Sequence, residues 1–80
     1  MTSLRQYTRV RVCRLLKPPE AYNSWGINQR PPRVGDTGYI VEILMAQGLP
    51  ECYVVESSGP DGIDIWLGDF SDEELEAGDA

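Results

Sequence analysis

Apolar and polar residues alternate in short stretches of this chain, and turn-forming residues separate them. The first stretch, YTRVRVCRLL (7–16), sets Val10 and Val12 between Arg9 and Arg11. A period of two with β-branched residues predicts a half-buried strand, valines toward the core and arginines toward solvent. The alternation breaks at the adjacent Leu15 and Leu16, so a bulge or the strand end is expected after Cys13. The second stretch, Tyr39 to Met45, is the most apolar. If Glu42 faces water, Val41 and Ile43 point inward, and Ile40 and Leu44 take the opposite face. Apolar residues on both faces predict a strand that bends between two packed sheets, as in a small barrel. ECYVVE (51–56) is a third strand. GIDIWLG (62–68) is a fourth, with Ile63, Ile65 and Leu67 on the core side and Asp64 and Trp66 outward. The strands expected are thus near 8–16, 37–45, 51–56 and 62–68.

AQGLP (46–50) and SSGPDG (57–62) read as turns, the second having glycine, proline and aspartate clustered. In FSDEELE, Ser71 is followed three residues later by Glu74, a capping box, and acids crowd the first turn. A helical turn is expected from about Asp72 to Glu76. No further alternating stretch follows it. Residues 1–6 and 77–80 are expected to fray.

Residues 17–33, KPPEAYNSWGINQRPPR, read as one long loop. Prolines at 18, 19, 31 and 32 forbid a continuous helix and supply no ladder N–H. Loops of this length inside a small domain tend to be functional. Tyr22, Trp25 and Ile27 give the loop apolar side chains with which to pack on the sheet. Behind it, PPRVGDTG aims the chain into the second strand. Gly35, Asp36 and Gly38 are the structural turn expected there. Glycine tolerates positive φ and close backbone approach, and Asp36 can bond forward to the backbone.

Eighty residues make one domain, 1–80, with one modest core. A hydrophobic fraction of 41% argues against wholesale disorder. So small a core leaves little margin, so a monomer or a weak homo-oligomer is expected. No stretch approaches the roughly 18 apolar residues of a membrane span. MTSLRQYTRVRVCRLL, with its scattered arginines, is no secretory signal, so the expected location is the cytoplasm. Thiols there stay reduced, and Cys13 and Cys52 read as free and part-buried. A disulfide is the alternative, although their spacing matches no CxxC pair.

Charge divides the chain. Residues 1–33 hold all seven basic residues and one acid, a net +6, and residues 34–80 hold twelve acids and no base. Such halves attract each other across a small fold, and the overall −6 favours solubility. The sharper reading is a bipolar docking surface for a charged partner.

The order of elements, with Val10 and Val12, then VGDTGYIVEI (34–43), YVVE (53–56) and IWL (65–67), resembles SH3-like small barrels over about residues 7–70. It is similar to small bacterial SH3-like families whose second strand opens with G-D-x-G. It is similar also to electron-transfer accessory barrels of the photosystem I reaction-centre subunit IV type and to the variable chain of ferredoxin–thioredoxin reductase. In these, RVRVCRLLKPPEAY resembles the opening strand and loop. The resemblance implies an all-β fold: an SH3-like barrel of about five antiparallel strands with a long first loop and a C-terminal helical turn. The acidic-aromatic motif of signalling SH3 domains is missing, so proline-peptide recognition does not carry over, and fold likeness alone assigns no function.

Chemistry is sparse. The sequence has no histidine, the usual general base at neutral pH, and Lys17 is its only lysine. Ser57 and Ser58 have no evident base. Asp61, Asp64, Asp69 and Asp72 do not match the calcium-loop spacing and read as a solvated acidic face. No catalysis, no metal and no cofactor are expected. The basic stripe Arg9, Arg11, Arg14 and Lys17 beside Tyr22 and Trp25 resembles a phosphate-and-stacking surface, but a pI near 4.4 argues against nucleic acid. The favoured reading is a non-catalytic protein-interaction or accessory module. Its expected binding residues are Tyr22, Trp25 and Trp66 with Arg9 and Arg11, since aromatics flanked by charge are typical interface anchors. The alternative is that Trp25 folds over the core as a lid.

Overall fold

The computed structural model describes residues 4–78. It is all-β. Strands β1 (Arg9–Val12), β2 (Thr37–Leu44), β3 (Cys52–Ser58), β4 (Asp64–Phe70) and β5 (Leu75–Ala77) form one antiparallel sheet in the order β4-β3-β2-β1-β5. No helix among the described residues is long and apolar enough to cross a membrane.

β1 follows its alternation: Val10 and Val12 are buried, Arg9 and Arg11 exposed. It ends at Val12, four residues short of the expected end, because past that point the chain's polar groups turn to other segments. The Cys13 and Arg14 amides both donate to the Glu74 carbonyl. β2 answers its two apolar faces with a bulge. The register against β3 runs Ile40↔Val55 and then Glu42↔Val54, leaving Val41 as the extra residue. A bulge shifts the parity of everything after it. Ile40 before it and Ile43 after it therefore both pack on the core, opposite Val55 and Tyr53. The expectation that Val41 shares the inward face with Ile43, with Ile40 and Leu44 on the opposite face, is corrected: Ile40 and Ile43 share the core side, and Leu44 is exposed.

β4 corrects a second expectation. Trp66, Gly68 and Phe70 face inward, Ile65 and Leu67 are half-buried, and Ile63 lies before the strand at 58% exposure. Trp66 is therefore a core residue. Each alternate set mixes large apolar residues with an aspartate, Asp64 beside Trp66 and Phe70 and Asp69 beside Ile65 and Leu67, so alternation alone does not choose between them. Phe70 shares the parity of Trp66, and two large rings bury more area than Ile63 and Leu67.

The helical turn is shorter than expected. The capping box forms: Glu74 accepts from the Ser71 amide at 2.9 Å, and the Ser71 side chain bonds the Glu74 backbone. The turn is a single 3-10 turn, Asp72–Glu74. Leu75 then goes extended and pairs with Val12, which makes β5. Ala77 and Gly78, expected to fray, are bonded to β1, and Gln6 donates to the Val41 carbonyl at 2.8 Å. Residues 1–3 and 79–80 lie outside the described residues.

The long loop adds one 3-10 turn, Pro19–Tyr22, and then runs along the outer edge of β4. The Gln29 amide donates to the Ile65 carbonyl at 2.8 Å, and the Leu67 amide donates to Asn28 Oδ1 at 2.9 Å. An open strand edge is a template for aggregation. Here the loop occupies one edge, and the other is the three-residue β5. Cys13 and Cys52 are unpaired.

The turn before β2 uses its two glycines differently. Gly35 has φ +98° with open space around it, so it is there for its backbone conformation. Gly38 lies in β2, and a Cβ on it meets the Glu56 carbonyl oxygen and lies 2.9 Å from Val55 Cγ1. Gly38→Val must push β2 from β3, and overpacking of this kind costs roughly 1–3 kcal/mol. A urea melt of the variant is expected to show at least that loss. An unchanged midpoint would mean that the two backbones do not approach as described.

Candidate functional site

The expected binding residues separate into two groups. Tyr22 and Trp66 are wholly buried and meet across Phe70, with ring centroids 5.0 Å and 5.5 Å from it. Each sends its polar tip to a carboxylate, Tyr22 to the buried Glu74 and Trp66 to the part-buried Asp36. The Tyr22 hydroxyl accepts from the Leu16 and Lys17 amides at 3.1 Å and donates to Glu74 Oε2. Burial and the Glu74 carboxylate push the Tyr22 hydroxyl up to about 12. Trp66 Nε1 donates to Asp36 Oδ2 at 2.9 Å. These two aromatics fix the loop to the sheet and offer no surface to a partner, which corrects the expected outward face.

Asp36 is the centre of that attachment. Arg30 donates to it from Nη1 at 2.8 Å and from Nη2 at 3.2 Å, and the Arg33 amide donates at 3.0 Å. Burial pushes this carboxyl up, but the bonds from Arg30, Trp66 and Arg33 outweigh it and hold the group below its usual range. The expected forward bond to the turn is absent. Asp36 instead reaches back to Arg33 and across to β4.

Trp25, Arg9 and Arg11 are exposed, Trp25 at 45%. They are not brought together. Trp25 sits on the loop that runs along β4, whereas Arg9 and Arg11 lie on β1, beyond β3 and β2 in the sheet. Arg9 and Arg11 instead belong to the outer face of the sheet. Arg9 on β1, Tyr39 on β2 and Glu56 on β3 are direct register partners and form one row across three strands. Tyr39 is 52% exposed. A shallow cavity of about 290 Å³ runs along this row, lined by Arg9, Thr37, Tyr39, Glu56 and Ser58. It adjoins a second of about 430 Å³ beside Arg9 and Arg11. Arg11 is ion-paired with Glu76 on β5. Burial and the neighbouring Asp64 push the Glu56 carboxyl up.

Tyr39 and Glu56 escaped sequence reasoning. The available signal was parity: Tyr39 alternates with the buried Ile40, and Glu56 with Val55. Their juxtaposition with Arg9 requires the strand register.

One more cavity, about 320 Å³, opens beside Leu16, Lys17, Pro50, Cys52, Asp69 and Phe70. Burial and Asp69 push the Cys52 thiol up, so little thiolate forms at neutral pH. Among the described residues, no three side chains of ligating type gather into a metal site. Comparison with protein-family models, curated proteins and solved structures finds no match to this chain.

Proposed function

We propose that this chain is a non-catalytic protein-interaction module of SH3-like type that engages its partner through the outer face of β1, β2 and β3. The observation that carries this reading is the Arg9–Tyr39–Glu56 row: an exposed aromatic flanked by opposite charges on a rigid sheet. Exposed aromatics and arginines are the residue types that dominate interface energetics. The strand order, with β5 returning to pair with β1, supports the SH3-like assignment. The sealed edge of β4 favours contact through side chains over strand addition. The absence of histidine from the sequence and the high thiol pKa at Cys52 weigh against catalysis. A cytoplasmic location fits the two unpaired cysteines.

The nucleic-acid reading loses Tyr22, its expected stacking platform, to the core. The test is capture from native-cell extract by the immobilised chain, with Arg9→Ala and Tyr39→Ala alongside. A defined protein is expected on the wild type and lost from both variants, whose melting temperatures stay unchanged. Capture that ignores both substitutions, or capture of RNA removed by nuclease, would overturn the proposal.

A further inference from the structure

Charge is distributed asymmetrically across the outer face. On its β1 side, Arg11 is held by Glu76, and Arg9 has no ion-pair partner among the described residues. On its β3–β4 side, Glu56 and Asp64 lie together. Neither is bonded to a basic group among the described residues, and the Asp64 carboxylate accepts only the Ser58 hydroxyl, at 3.2 Å. Burial raises the Glu56 carboxyl, and the adjacent Asp64 carboxylate, with no cation between them, raises it further. Tyr39 stands between the two sides, half exposed. Neighbouring strands lie about 4.8 Å apart, so Arg9 and Glu56 flank it symmetrically.

We infer that this face packs against the same face of a second copy of the chain, about a two-fold axis running parallel to β2 over Tyr39. Arg9 of each copy then lies on Glu56 and Asp64 of the other, and the two Tyr39 rings meet at the axis. The inference rests on reading this face as an interaction surface and adds the identity of the partner. An isologous contact requires a surface complementary to itself under rotation. A row ordered cation, aromatic, anion meets that requirement for this axis. For an axis perpendicular to β2 in the same plane, Arg9 meets Arg9 and Glu56 meets Glu56, so the geometry selects one direction. Glu42 also points outward on β2, but the bulge at Val41 intervenes and turns the strand, which confines the contact to the Arg9–Tyr39–Glu56 row. The net charge of −6 on each chain opposes association, so the dimer is weak and concentration-dependent.

Sedimentation equilibrium of the full chain from micromolar to millimolar concentration tests this. The wild type is expected to pass from monomer to dimer. Arg9→Glu and Glu56→Arg should each raise the dimer Kd about tenfold or more, the effect of losing one close charge pair. The double variant Arg9→Glu/Glu56→Arg should restore it, and the two single variants mixed together should form a heterodimer. Tyr39→Ser, which changes no charge, should also weaken the dimer and keeps the test open if a charge variant fails to fold. A wild type that stays monomeric at millimolar concentration overturns the inference, as does a double variant no tighter than the singles. If partner capture still depends on Arg9 and Tyr39 in that case, the interaction reading stands and only the second copy falls.

Discussion

Trp66→Ala is expected to cost about 3–5 kcal/mol of stability, the usual cost of emptying a large aromatic site. For a domain of this size, total stability is on the order of 5–15 kcal/mol, so the variant approaches the unfolding threshold. Two effects combine. The indole is fully buried on the inner face of β4, against Phe70. Its Nε1–H is also one of the donors that hold Asp36, and Asp36 with Arg30 anchors the end of the long loop. Trp66→Phe separates the two: it keeps much of the ring volume and removes the donor. Because Arg30 still bonds Asp36, the phenylalanine variant should lose less, about 1.5–3 kcal/mol, the value of one hydrogen bond to a charged group. Denaturant melts of both variants provide the measurement. An alanine variant as stable as the wild type would return Trp66 to the surface and with it the original binding face.

The contrast between β1 and β4 explains what the sequence disclosed. In β1 only one alternate set is apolar, so Val10 and Val12 declare the buried face without help. In β4 each set mixes apolar residues with an aspartate, and the choice is made by the size of Trp66 and Phe70 and by a carboxylate thirty positions earlier. The bulge at Val41 is similar. A run apolar on both faces signals that parity must change, but where it changes depends on the partner strand. β5 was hidden because three residues are too few to show a period, and its existence depends on the capped turn stopping at Glu74. Tyr22 misled for a chemical reason. A tyrosine in a proline-rich loop reads as exposed unless the buried acid that satisfies its hydroxyl is known, and Glu74 is 52 residues away. The exposure of Arg9 and Arg11 was legible from the same alternation as the valines. The row they belong to was not, because cross-strand register is a property of pairs.

Glu74 has the second large effect. It is a carboxylate with 2% exposure in a domain with few buried charges, and four donors converge on it. Oε2 accepts the Tyr22 hydroxyl and the Leu16 amide, the latter at 3.0 Å, while Oε1 accepts the Ser71 amide at 2.9 Å and its hydroxyl at 3.3 Å. Glu74→Ala leaves donors of both the loop and the 3-10 turn without acceptors. At roughly 1–3 kcal/mol for each unsatisfied buried group, a loss of about 3 kcal/mol or more is expected. Glu74→Gln keeps the shape but turns an amide N–H₂ toward existing donors, so it should not rescue. The pH dependence carries the same signature. Burial pushes the Glu74 carboxyl up, but its four bonds outweigh this and hold it below its ordinary value, so the unfolded chain binds the proton more tightly. Its stabilisation is therefore complete above the unfolded value of about 4.3 and is lost as pH falls through the lower folded value. Tyr22 acts in the opposite sense. Its folded value of about 12 lies above the unfolded value of about 10, so its contribution is complete below pH 10 or so and is lost as pH rises toward 12. The wild-type melting temperature should thus hold a plateau between roughly pH 5 and pH 9 and fall on both sides. Glu74→Gln should lower the plateau and flatten the acid limb, and Tyr22→Phe should flatten the alkaline limb. If all three curves run parallel, the Tyr22–Glu74 pair is not what joins the loop to the end of the sheet.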